Sequence, residues 1–96
     1  MIRLRPLKNH LTKVTFTLHA TPELSHASVV GDFNDWDPHA VPMERQKDGR
    51  FQASVPLPAA ERYEFLYLTS DSRHLLDDRC DGCPNPHGGE NSVLHT

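Results

Sequence analysis

Apolar and polar residues alternate with a period of two in several short runs, and turn-forming residues punctuate the runs. In residues 13–20, Val14, Phe16 and Leu18 alternate with Thr15, Thr17 and His19. Period two with β-branched and aromatic residues specifies a strand with one dry face. Thr21-Pro22-Glu23 breaks it, and residues 27–33, centred on Val29 and Val30, predict a second strand. A loop rich in Asp, Asn and Pro follows over 34–39. Residues 40–43 read as an edge strand, because Pro42 cannot donate to a ladder. Asp48-Gly49 is the strongest hairpin signal in the chain, and residues 51–57 alternate Phe51, Ala53, Val55 and Leu57 with polar partners and Pro56. After Pro58-Ala59-Ala60, residues 62–68 place Tyr63, Phe65 and Tyr67 on one face and Glu64, Leu66 and Leu68 on the other. Both faces are fairly apolar, which predicts a central strand. Residues 69–72 form a tight turn, 74–76 a return strand, 77–90 a long loop and 91–96 a closing strand. No window has a helical period with caps. Short strands at regular spacing specify an all-β fold, an immunoglobulin-like β-sandwich of two antiparallel sheets.

The chain has 96 residues, enough for one domain. Residues 1–12 are expected to be an N-terminal extension and 13–96 the sandwich. The hydrophobic fraction of 36% suits a fold in which each strand gives alternate residues to the core. The net charge is −3, with both signs interspersed. Arg3, Arg5 and Lys8 are too few for a nucleic-acid footprint. No apolar stretch is long enough to span a membrane, and the first residues lack the apolar segment of a secretory signal. The expectation is a cytoplasmic chain that binds neither nucleic acid nor membrane.

The stretch Val29-Val30-Gly31-Asp32-Phe33-Asn34-Asp35-Trp36-Asp37 carries chemistry beyond the generic fold. Gly31 suits a close backbone approach or a positive φ at the strand end, Phe33 an inward anchor, and Asn34 and Asp35 side-chain bonds that hold a turn. Trp36 is then left at the tip of a polar loop. There it either folds back over the sandwich edge or presents a flat apolar platform.

This stretch resembles the strand-and-turn motif of carbohydrate-binding module family 48. That family covers the N-terminal domains of isoamylase and glycogen branching enzymes and the glycogen-binding domain of the AMP-activated protein kinase beta subunit. Three further segments match in order: Asp48-Gly49 with Phe51 and its strand, Tyr63-Glu64-Phe65-Leu66-Tyr67, and the closing run Pro84-Asn85-Pro86-His87-Gly88-Gly89-Glu90-Asn91-Ser92-Val93. The resemblance implies a non-catalytic module that binds α-glucan (glycogen, starch or maltodextrin), with Trp36 as the platform for a sugar ring and no cofactor. It implies that His74 stands where other members carry a second exposed aromatic, that Glu64 stands near their lysine, and that Asn91 keeps their asparagine. The bland readings are a solvated strand face for Glu64 and a turn-closing side chain for Asn91. The resemblance also allows a docking or regulatory domain that has lost sugar binding and packs against a catalytic domain or partner subunit, or a fragment of an amylase-type enzyme. Leu66, Leu68, Leu75 and Leu76 would suit a contact surface, but are expected on the inner face of the second sheet.

Cys80-Asp81-Gly82-Cys83 is the most individual feature. The thiols are free, joined in a local disulfide, or two of the four ligands of a zinc ion completed by His74, His87 and Asp77 or Asp78. Catalysis has no support in the sequence: adjacent carboxylates such as Asp77 and Asp78 point to opposite faces of a strand, whereas glycoside hydrolysis opposes two carboxyls across a cleft.

Overall fold

The computed structural model describes residues 1–19, 24–86 and 88–96. Ala20, the expected break at Thr21-Pro22-Glu23, and His87 lie outside the described residues. One sheet is built on β2 (Leu11–Leu18), which buries Val14, Phe16 and Leu18 and leaves Lys13 exposed. β1 (Ile2–Pro6) lies on one side of it. On the other, β5 (Phe51–Pro58) pairs with it in the register Val14↔Val55 and Phe16↔Ala53, and β4 (Glu44–Arg45) closes the order β1-β2-β5-β4. The second sheet runs β3 (Ala27–Gly31), β6 (Arg62–Thr69), β9 (Glu90–His95), β8 (Asp81–Pro84), with β7 (His74–Leu75) also beside β6. Every pairing is antiparallel. Together the sheets form the expected all-β, immunoglobulin-like sandwich.

The core lies between them. Phe16 sits at its centre, edge-on to Phe65 at 5.1 Å and Tyr67 at 6.4 Å and stacked on Phe33 at 5.8 Å. Val29, Phe51, Leu57 and Leu94 complete the packing. Because Phe65 and Tyr67 point inward, their neighbours Glu64, Leu66 and Leu68 point out from β6. This corrects the expectation for the leucines: Leu75 packs against the core, whereas Leu66 and Leu76 line a groove on the outer face.

Three elements differ from the pattern-based reading. Residues 2–6, expected within an extension, are a strand in register with β2 through Ile2↔Phe16 and Leu4↔Val14. The alternation is present there, but arginine fills the outward positions and four of the five residues are exposed. The piece at 40–43 is a crossover. Val41 O accepts from Val29 N and Met43 N donates to Ala27 O, both at 2.9 Å, so it hangs on β3 before the chain reaches β4 on the other sheet. Pro42 makes only an isolated bridge to Ser28. Finally, β8 lies within the expected long loop. Its Asp-Gly-Cys-Pro has no apolar alternation and owes its extension to pairing with β9. Asp48-Gly49 makes the expected turn between β4 and β5, with Gly49 at φ 89°. Among the described residues no helix is long and apolar enough to cross a membrane.

Candidate functional site

The site begins where β3 ends. Gly31 has φ −174°, an extended conformation open to any residue, so its requirement is for space. A Cβ there would lie 2.6 Å from the Glu64 carbonyl oxygen and 2.9 Å from the Phe33 ring. The chain then turns through a single 3₁₀ turn, Asp32–Asn34. Phe33 is pinned between Phe16 and Tyr63, the latter edge-on at 5.9 Å. Asn34 closes the turn with both ends of its amide: Oδ1 accepts from Gly31 N and Nδ2 donates to Val29 O, each at 3.0 Å. Asp35 and Trp36 then both adopt left-handed backbone, at φ 55° and 57°. A bulky residue there is strained. Trp36 is held in that state by its N–H on Gly31 O at 3.0 Å. The turn carries the indole onto the outer face of the second sheet, where it is 37% exposed.

On that face lies a groove of about 820 Å³. Trp36 and Asp32 form one side. Glu64 and Leu66 of β6 form the floor, and His74 of β7 with Leu76 the opposite side. Asn85, Pro86, Gly89, Glu90 and Asn91 close the end. Trp36, Glu64, His74 and Asn91, far apart in the chain, thus line one concavity.

Glu64 is the hub of its polar end. Oε1 accepts from Cys83 Sγ at 2.9 Å and from Asn91 Nδ2 at 3.1 Å, and Oε2 accepts from Arg62 at 3.1 Å. Its backbone N–H donates to Asp32 Oδ2 at 2.9 Å, tying β6 to the tryptophan turn. Hydrogen bonds from Cys83, Asn91 and Arg62 hold the Glu64 carboxyl below the usual carboxylate range. The chain of amides continues outward. Asn91 Oδ1 accepts from Asn85 Nδ2 at 3.3 Å, and Asn85 Oδ1 accepts from Gly89 N at 3.1 Å. Asn91 is buried, and Glu64 fixes which way its amide points.

The two cysteines do not form a unit. Cys83 faces outward toward Glu64, whereas Cys80 packs against the core on the inner side. Burial and the nearby Asp77 push the Cys80 thiol up to about 11, and the bond to Glu64 raises that of Cys83. The two side chains point to opposite sides of the sheet and do not converge, and His87, the third candidate ligand, lies outside the described residues. Both thiols are free, and among the described residues no group of three or more His, Cys, Asp or Glu side chains is placed to hold a metal.

The reading of isolated motifs missed Leu66, Leu76, Asp32, Asn85, Pro86, Gly89 and Glu90. The outward place of Leu66 was implicit in strand parity with Phe65. The rest depend on how the 77–90 segment folds over the sheet.

Comparison with known families follows this geometry. Residues 4–79 match carbohydrate-binding module 48, the isoamylase N-terminal domain. The chain belongs to this family. It is 36% identical over 67 residues to 1,4-alpha-glucan branching enzyme GlgB 2 of Xanthomonas campestris pv. campestris (strain 8004), covering 69% of this chain and 9% of that enzyme. It is 39% identical over 64 residues to 1,4-alpha-glucan branching enzyme GlgB of Burkholderia cenocepacia (strain HI2424), covering 65% of this chain and again 9% of the enzyme. The chain thus spans about a tenth of the length of these relatives. The groove lies on the face that bears the turn from Gly31 to Trp36, within the matched residues, with Glu64 and Cys83 alongside.

Proposed function

We propose that this chain is a non-catalytic module that binds α-1,4-linked glucan in the outer-face groove. The observation that carries the reading is the convergence of Trp36, Glu64, His74 and Asn91 on one concavity floored by Leu66. An aromatic rim with an apolar floor and few convergent polar groups is the chemistry of a sugar ring, which is apolar on its C–H face and polar at its edge. Trp36 is the stacking platform, His74 stacks on the opposite side, and Asn91 and Glu64 meet ring hydroxyls. Covering one face of the indole contributes about 2–3 kcal/mol, whereas a millimolar site needs about 4 kcal/mol. Leu66, Leu76 and the amide ladder supply the difference, and the expected Kd lies between tens of micromolar and millimolar.

Two features support a binding rather than a catalytic role. Glu64 is bonded by three donors and held ionised, opposite to the raised pKa of a general acid. Asp32 is engaged with the Glu64 backbone. The glucan is also what the name of the branching-enzyme relatives specifies for those proteins.

The test uses Trp36, the only tryptophan. Its emission should shift saturably with maltoheptaose, and calorimetry on Trp36→Ala should show binding weakened by at least about thirtyfold, the loss of 2–3 kcal/mol. A flat response and no heat with the wild-type chain at millimolar sugar would defeat the reading and leave a docking domain of the same fold.

A further inference from the structure

Away from the groove, the free edge of the first sheet carries charge and backbone groups that the fold leaves unused. We infer that β1 is a docking edge for an extended segment of an acidic partner protein. The segment adds antiparallel as a further strand, with carboxylates opposite Arg3 and Arg5 and an apolar side chain opposite Leu4.

β1 ends the order β1-β2-β5-β4, so one side of it faces no strand. Met1 and Thr17 exchange both backbone bonds: Met1 N donates to Thr17 O at 2.7 Å and Thr17 N to Met1 O at 2.8 Å. At the far end Leu7 N donates to Leu11 O at 2.8 Å. Hydrogen-bonded pairs alternate along an antiparallel ladder. In the register Arg3↔Thr15 and Arg5↔Lys13, the backbone groups of Arg3 and Arg5 therefore face β2. Those of Ile2 and Leu4 point away from it, and among the described residues they bond to no other element.

The side chains supply the selectivity. Arg3, Arg5 and Lys13 are exposed on the outer face, with Arg5 directly opposite Lys13. Like charges so placed are unfavourable, and among the described residues none of the three makes an ion pair. On the inner face Ile2 reaches the core, whereas Leu4 is 48% exposed. An added strand meets Arg3 and Arg5 at non-hydrogen-bonded positions, where Cα atoms approach to about 4.5 Å and side chains are closest. Carboxylates there neutralise the cationic cluster, and an apolar residue between them covers Leu4. A second copy of β1 fits poorly. Every antiparallel register that pairs Leu4 sets an arginine against an arginine, and Pro6 has no N–H to give. Pro6 also ends the edge, so the docked segment is short.

The experiment follows amide hydrogen exchange in the whole chain by NMR. The probe is a capped synthetic peptide in which valines alternate with two glutamates. Its counterparts carry lysine in place of glutamate, or methyl groups on the valine nitrogens. In the chain alone, the Leu4 N–H should exchange at least about tenfold faster than those of Arg3 and Arg5, which are bonded within the ladder. The glutamate peptide should slow Leu4 exchange and bind at least about tenfold more tightly than the lysine peptide, because two cross-strand pairs turn from attraction to repulsion. The double variant Arg3→Glu with Arg5→Glu should reverse that preference; if it does not fold, the comparison of peptides on the wild-type chain still decides. The methylated peptide should leave Leu4 unprotected. No protection of Leu4 at millimolar glutamate peptide, or equal protection by the lysine peptide, overturns the inference. Equal binding of the methylated peptide also overturns it, since the attraction would then be charge without a ladder. Protection that rises with the concentration of the chain alone, with a dimer in sedimentation, overturns it in favour of a second copy.

Discussion

Replacing Gly31 by alanine tests whether the tryptophan turn is seated on β6 by close approach. The new Cβ would sit 2.6 Å from the Glu64 carbonyl oxygen, 2.9 Å from Cε1 of Phe33 and 3.0 Å from Cβ of Phe65. Ordinary contacts of a carbon with a carbonyl oxygen begin near 3.3 Å. Glu64 is paired with Val93 of β9 and directly precedes Phe65, where the ladder with β3 begins, and Phe33 is clamped between two rings. Neither can yield without loosening the ladder or the core. Overpacking of this kind costs about 1–3 kcal/mol. The opposing effect is small: alanine stiffens the unfolded chain, which stabilises by about 0.4–1 kcal/mol where the native backbone allows it, and φ −174° does. The expected net loss is about 1 kcal/mol, a fall in Tm of roughly 4–8 °C for a domain this size. Urea and thermal unfolding followed by circular dichroism measure it independently of Trp36. An unchanged or raised Tm would refute the steric argument, because the entropic term would then stand alone. The still-folded variant should also bind maltoheptaose more weakly, since the turn that carries the indole is displaced.

Asn34→Ala removes both bonds that close the turn and should lower stability by about 1–3 kcal/mol while weakening maltoheptaose more than Asn34→Asp does; equal sugar affinity in both variants would separate the turn from binding. Acid should unfold the chain through carboxyls held below their usual values. In Glu64 the donors Cys83, Asn91 and Arg62 do this. In Asp77 burial opposes ionisation, but the N-terminal ammonium, the Tyr67 hydroxyl and the Arg79 N–H outweigh it. Their stabilisation is complete above the unfolded values near 4 and is lost as pH falls through the lower folded ones, so the urea midpoint should be level from pH 5 to 7 and fall below about pH 4. A midpoint level down to pH 3 would contradict the assigned shifts. Under mild oxidation of the folded chain Cys80 and Cys83 should form no internal disulfide, and both should react with a thiol reagent only after unfolding or at high pH; a two-hydrogen mass loss without unfolding would show that they can meet.

Alternation of Val14, Phe16 and Leu18, of Phe51 through Leu57, and of Tyr63, Phe65 and Tyr67 specified the sandwich before any coordinates, because a period of two has one geometric solution: one face in and one face out. The same parity put Glu64 and Leu66 on one face of their strand, but with both faces apolar it left open which face was outside, and the sequence reading placed Leu66 inside. The turn chemistry of Gly31, Asn34 and Asp48-Gly49 was legible for a similar reason, since short-range bonds and local sterics act within a few residues. Tertiary structure alone decided the rest. β8 is extended because β9 offers it a ladder, the 40–43 piece crosses between sheets because Pro42 can join neither fully, and the arginine-bearing first residues become a strand only when Leu4 finds Val14. The cysteine pair illustrates the limit most clearly: its spacing allowed chelation or a disulfide, and only the packing of Cys80 inward and the bonding of Cys83 outward separated them. The groove is of this second kind, since Trp36, Glu64, His74 and Asn91 meet through long-range strand pairing. Local pattern fixes which way each side chain points, but pairing energies summed over the whole sandwich determine which distant side chains become neighbours.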